Sequence, residues 1–122
     1  MPGASNAAPL YVPLQVVAAQ SVTGVITPTG VDLLDYDGLV HVAQNCGAQV
    51  GGTLAGKIQS SPDNSTWADV PGATFPNVTA GNRVDAIVLD LQSCGRFIRY
   101  TNTFAGTSIL VAVTASAVKK IS

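Results

Sequence analysis

The chain contains no glutamate, few lysines and one histidine, and charged residues make up only 11% of its 122 positions. A typical soluble domain carries about 25%. Without Glu and with little Lys, an amphipathic helix would lack the strong helix formers that cover its solvent side, so helical classes are excluded. Six Lys and Arg oppose seven Asp, a net charge of −1. That balance lacks the basic footprint needed for nucleic acid. No apolar run approaches the ~20 residues of a membrane helix. Pro2, Pro9 and Pro13 interrupt the stretch that a secretory leader would keep apolar. These absences lead to the expectation of a soluble protein made and folded in a cytoplasm, with neither nucleic acid nor membrane as partner.

The usual constellations for chemistry are also thin. His41 is the sole histidine, so any His-dependent triad must use it. The nearest thiol, Cys46, lies five positions on and falls on the opposite side of an extended chain. His41 therefore reads as a packed or partner-facing residue. Asp35, Asp37 and Gly38 resemble the start of a calcium loop, but the later ligands and the bidentate Glu are missing. Turn formation explains the pair better. Cys46 and Cys94 have no Cys-x-x-Cys spacing and form no zinc or redox motif; free thiols or one disulfide both fit the sequence. Asn64-Ser65-Thr66 and Asn77-Val78-Thr79 match the glycosylation acceptor pattern, and with no secretory leader expected they read as turn residues. The expectation is a non-enzymatic protein with no cofactor, no metal and no catalytic residue.

What the chain does have is a core. Hydrophobic residues reach 47% and mean hydropathy is +0.34, which excludes a disordered solvating chain. The length suits one domain. Residues 1–13 hold three prolines and no charge and read as an extended N-terminal arm, followed by a single domain over residues 14–122. Turn clusters of Gly, Pro, Asn and Ser recur about every ten residues, the spacing of short strands in a sandwich or barrel.

Alternation then defines the strands. Leu14–Gln20 is the first, and 22–26 continues it or pairs with it. Val31–Leu34 is a short extended piece, and Asp35–Gly38 is a turn. In Leu39–Gln44, Leu39, His41 and Ala43 face one way and Val40, Val42 and Gln44 the other. A strand apolar on both sides belongs in the centre of a sheet or under a partner subunit. Residues 45–53 read as a loop, 54–59 as a half-buried strand, 60–65 as a turn built on Pro62, Asp63 and Asn64, and 66–70 as the return strand. Pro71-Gly72 and Pro76-Asn77 break the next segment. Val84–Leu91 reads as a second central strand, joined to 96–102 as a hairpin through Ser93-Cys94-Gly95. The last strand, 107–118, turns Ile109, Val111, Val113 and Ala115 to one side and Leu110, Ala112, Thr114 and Ser116 to the other. The fold expected is all-β: an antiparallel β-sandwich of about eight strands.

The segment Gly56–Val70, a strand running into Gln59-Ser60, an Asp63 turn, then Thr66-Trp67-Ala68-Asp69-Val70, is similar to a pattern of tailed-bacteriophage virion proteins. Arg96-Phe97-Ile98-Arg99-Tyr100-Thr101 before Gly106-Thr107-Ser108 resembles a later strand and turn of the same proteins. The resemblance spans residues 31–118 and implies a small capsid decoration, or cement, protein. Such a protein is a β-sandwich or jelly roll on the outer capsid surface, commonly a trimer, with the major capsid protein as partner. Under it the candidate partner-binding residues are Pro9, Leu10, Tyr11, Val12 and Pro13 of the arm, with Tyr36 and Trp67. Two other readings are carried forward. In a glycan- or receptor-binding module of a fibre, Trp67 and Tyr36 would stack on sugar; a tail-tube or connector component would form rings.

Overall fold

A computed structural model describes residues 11–26 and 28–119. Eight strands follow one another: β1 Tyr11–Val22, β2 Val31–Asp32, β3 Tyr36–Val50, β4 Thr53–Ser61, β5 Ala68–Thr74, β6 Arg83–Asp90, β7 Phe97–Ala105 and β8 Ser108–Lys119. A 3₁₀ turn, Leu91–Ser93, lies between β6 and β7. The strands form two antiparallel four-stranded sheets, in the order β1-β8-β3-β6 for the first and β2-β7-β4-β5 for the second.

That order is a chain folded in half and rolled up. β1 pairs with β8, β2 with β7, β3 with β6 and β4 with β5. The pairs Tyr11↔Val118, Val31↔Ile98, Leu39↔Asp90 and Ser60↔Ala68 all have their midpoint at or within a residue of Asn64. Rolling the doubled ribbon adds the β3–β8 and β4–β7 ladders and yields the jelly-roll form of the sandwich.

The bend at the midpoint is set by side-chain chemistry. Asn64 sits at φ +61°, a left-handed conformation that asparagine tolerates. Asp63 Oδ1 accepts hydrogen bonds from the Ser61 hydroxyl at 2.9 Å and from the amides of Ser65 at 2.9 Å and Thr66 at 2.8 Å. These bonds hold the Asp63 carboxyl below its usual range, the Thr66 amide contributing most.

Between the sheets lie Val40, Val42, Leu54, Ile58, Phe75, Ile98, Tyr100, Ile109 and Val113, each almost wholly shielded from solvent. One polar bond crosses this core: the Tyr100 hydroxyl of the second sheet donates to Gln44 Oε1 of the first at 2.6 Å. Gly56 leaves room for it, because a Cβ there would collide with both groups. Gln44 Nε2 and Asp85 Oδ2, on directly opposed residues, are buried and make no hydrogen bond among the described residues.

The alternation read from the sequence holds in β3, β4 and β8, with Val40, Val42 and Gln44 buried and Leu110 and Thr114 outward. Other expectations change. β1 opens at Tyr11, so Tyr11, Val12 and Pro13 are strand residues opposite Val118, Ala117 and Ser116 and not arm. The remainder of the arm, with Pro9 and Leu10, lies outside the described residues. β1 ends at Val22, and the following segment is tied to β7 by Asn102, which accepts from the Ile26 amide and donates to the Gly24 carbonyl.

The expected loop over 45–53 is mostly strand. β3 runs to Val50 through a register shift between Cys46 and Gln49. Its glycines misled because Gly47 leaves space for the Leu110 side chain of the neighbouring strand. β5 likewise runs across Pro71-Gly72, where the register shifts. Proline is tolerated there because β5 is an edge strand.

Two corrections concern β6. It forms no hairpin with β7, because the two belong to different sheets. Asp90 caps the 3₁₀ turn through the Gln92 amide at 2.9 Å, and the six residues from Leu91 to Arg96 carry the chain across the sandwich. Nor is β6 central. It is the edge of the first sheet, with Val84 and Val88 turned to solvent.

The inter-sheet bond gives a stability prediction. Tyr100→Phe leaves the Gln44 amide buried without any partner, and urea denaturation is expected to show a loss of about 1–3 kcal/mol. Gly56→Ala is expected to destabilise at least as much, since neither Tyr100 nor Gln44 can retreat from the core.

Candidate functional site

The two outer faces of the sandwich differ in chemistry. On the second sheet the side chains form a polar mesh. Asp69 accepts from Lys57 Nζ and Gln59 Nε2, both at 2.9 Å, and Gln59 Oε1 accepts from Arg99 Nε at 2.9 Å. The Arg99 guanidinium lies 4.4 Å from the centre of the Trp67 ring. At the other edge Asp32 takes a two-pronged bond from Arg96, at 2.9 and 2.7 Å. Arg96, with the Leu34 amide, lowers the Asp32 pKa to about 2.

The outer face of the first sheet has no such mesh. Register places His41 between Ser116 and Val88, Ala43 between Thr114 and Ala86, and Asn45 between Ala112 and Val84. Pro13 and Gln15 extend two of these rows through Ser116 and Thr114. Within these rows there is no charged side chain. Asp37 and Asp90 stand at one rim, and the Arg83–Asp85 pair is turned inward at the edge. Tyr11, Leu39, Val84, Val88 and Leu110 are each at least 50% exposed, and they account for five of the seven large apolar side chains exposed among the described residues. Large apolar side chains exposed together on an uncharged face mark sites of protein contact.

The face is not flat. At one end a groove of about 420 Å³ crosses all four strands, lined by Ala19, Asn45, Gly47, Val84, Leu110 and Ala112 among others. At the other a depression of about 310 Å³ lies between Tyr11, Leu39, His41 and Val118. Tyr11 stands edge-on to His41, ring centres 6.4 Å apart.

Of the residues singled out from the sequence, Tyr11 and Pro13 come together on this face with His41. Val12 points the other way and is half-buried. Tyr36 is half-buried against the core. Trp67 belongs to the opposite side of the molecule, where Arg99 covers its ring and a Cβ on Gly30 would lie 2.7 Å from its far edge. Tyr36 and Trp67 therefore form no shared aromatic platform. Leu39, Val84, Val88 and Leu110 were visible in the sequence only as the outer halves of strands apolar on both sides. Nothing local shows that they share one surface.

Cys46 and Cys94 are free. Burial pushes both thiols up, reinforced by Asp85 at Cys46 and Asp90 at Cys94. Thiols kept protonated in this way are poor nucleophiles. Among the described residues no three His, Cys, Asp or Glu side chains are grouped to hold a metal ion, and no helix is long and apolar enough to cross a membrane.

No protein-family model matches the sequence, and no curated protein matches it. Among solved structures the chain is similar to the PBSX exported protein XepA, with a TM-score of 0.62 and 22% identity over 91% of this chain. It spans 38% of XepA's length. That likeness is one of fold. A structure of infectious bursal disease virus, Gx strain, is also similar over 91% of this chain and 32% of its own, with 12% identity and a TM-score of 0.46.

The carboxylates of the polar face add a small, acid-sensitive contribution to stability. Asp32 and Asp69 are both held below their ordinary value by bonds to partners, Arg96 first for Asp32 and Gln59 first for Asp69. A depressed carboxyl contributes stability above its unfolded pKa and loses it as pH falls through the folded one. The urea midpoint is therefore expected to decline as pH drops from 3.8 toward about 2. Asp32→Asn is expected to make that decline shallower.

Proposed function

We propose that this chain is a structural protein of a virus particle, of the tailed-phage kind, that coats the outside of the head and stabilises it by bridging neighbouring capsomers. The observation that carries the reading is the uncharged apolar outer face of the first sheet, set on a rigid sandwich whose other face holds the polar mesh. A surface of that composition meets other protein at lower desolvation cost than a charged one. The sequence resemblance over residues 31–118 supports the virion assignment, and the fold is one also found in the PBSX exported protein XepA.

The mechanism is linkage. A subunit that binds the expanded shell and not its precursor stabilises the expanded form by its binding free energy at every occupied site. At ~100 times Kd that amounts to about 2.7 kcal/mol per site. Contacts to two capsomers at once raise the effective concentration of the second, so internal pressure must break both together. The face supplies the seat, and the prolines and lack of charge ahead of Tyr11 suit that stretch to contact with a neighbouring subunit. The glycan-binding alternative draws no support from Trp67, whose ring lies beneath Arg99.

Purified protein added to heads that lack it is expected to bind saturably to expanded shells, to ignore unexpanded ones, and to raise the temperature at which shells disrupt. Absence of binding to either would remove the proposal. Deleting residues 1–10, and stopping there because Tyr11–Pro13 pair with β8, is expected to weaken attachment while leaving the denaturation midpoint in place.

A further inference from the structure

Each sheet ends in strands that no other described strand flanks on the outer side, a standing invitation to pair with another chain. Three of the four edges carry a device against it. β1 contains Pro13 and two register shifts, between Gln15 and Val17 and between Val17 and Gln20. β5 contains Pro71 and its own shift. β2 is two residues long. The fourth edge, β6, differs. It runs for eight residues with no proline and no lysine, pairs with β3 on one side from Leu39↔Asp90 to Cys46↔Arg83 with no break, and has no described strand on the other. Its inward charges, Arg83 and Asp85, lie at one end and are bonded to each other at 2.8 Å. Outward it shows Val84, Ala86 and Val88 to solvent, with Asp90 at its end.

We propose that β6 pairs antiparallel with β6 of a second copy of this chain, so that the two first sheets join into one eight-stranded sheet. The second copy is the occupant the edge itself favours. An antiparallel pair of identical strands is related by a two-fold axis, and with the axis perpendicular to the sheet outer side chains meet outer ones. A register centred on Ile87 sets Ala86 against Val88, Asp85 against Leu89 and Val84 against Asp90 of the second copy. No charge meets its like. In that register the seven residues from Val84 to Asp90 give a seam about 23 Å long at ~3.3 Å per residue, held by main-chain hydrogen bonds and by the apolar Ala86–Val88 contacts. The uncharged outer face then continues across the seam, doubling the surface offered to a third protein. The pairing goes beyond the capsid reading and does not rest on it, since it is measured in the absence of heads.

Sedimentation equilibrium and hydrogen exchange on the full chain test it. The wild type is expected to move from 12.4 kDa toward twice that mass as concentration rises through the micromolar range. The double variant Ala86→Lys/Val88→Lys sets lysine against lysine across the axis and is expected to remain at 12.4 kDa throughout. Leu110→Lys, on the same face but on β8, is expected to behave as wild type. Both variants alter side chains that already face solvent, and thermal denaturation verifies that they fold. Independently of any variant, the edge-facing amides of residues 83–90 in the wild type are expected to exchange at least about tenfold more slowly at high concentration than at low. A wild type that stays monomeric, one that forms trimers, a dimer that survives the two lysines, or one lost in Leu110→Lys would each overturn the pairing. A monomer that still binds heads overturns it and leaves the capsid reading standing; a dimer that binds none does the reverse.

Discussion

One carboxylate at the centre of the chain organises the fold. Asp63 gathers a hydroxyl and two amides at 2.8–2.9 Å, and with Asn64 in a left-handed conformation it turns the backbone back on itself. The four ladders β1–β8, β2–β7, β3–β6 and β4–β5 are centred near this point. Once the ends are brought side by side, the doubled ribbon has one way to bury its apolar sides, which is to roll into two facing sheets. The Tyr100–Gln44 bond between those sheets fixes how they face, since a hydroxyl and an amide buried together must stay in reach of each other.

The scarcity of charge has a second effect. With so few ionic side chains, one outer face takes most of the pairing, and Lys57, Asp69, Arg96 and Asp32 cover the second sheet. Exposed pairs of this kind contribute little to stability. Their consequence is solubility on one side and an apolar surface left open on the other. Three strand edges are blunted by proline, register shifts or brevity while β6 is left straight, so the apolar face and the open edge meet along one border.

Alternation made most strands legible, and their inner and outer halves with them: Val40, Val42, Ile109, Val111 and Val113 are buried as the period of two requires. It failed where local signals point two ways. Glycines around 47–52 look like a loop, although Gly47 is thin because a leucine packs over it. Ser93-Cys94-Gly95 looks like a hairpin, although the segment from 91 to 96 changes sheets. Valines on both sides of β6 look like a sheet centre, although one side is surface. In each case the side chain's partner lies far away in sequence. The candidate face was half legible for the same reason: Tyr11 and Pro13 stood out in a proline-rich stretch, while Leu39, Val84, Val88 and Leu110 gain meaning only beside one another.

Composition and period settled the class of fold, the turn at Asp63 and Asn64, and which side of β3, β4 and β8 is buried, because all of these depend on neighbours within a few positions. Which strands became edges, which face kept its charge and where the apolar rows line up were decided by assembly of the two sheets. Those properties depend on ladders joining residues as far apart as Tyr11 and Val118, and a one-dimensional pattern does not record which strand lies next to which.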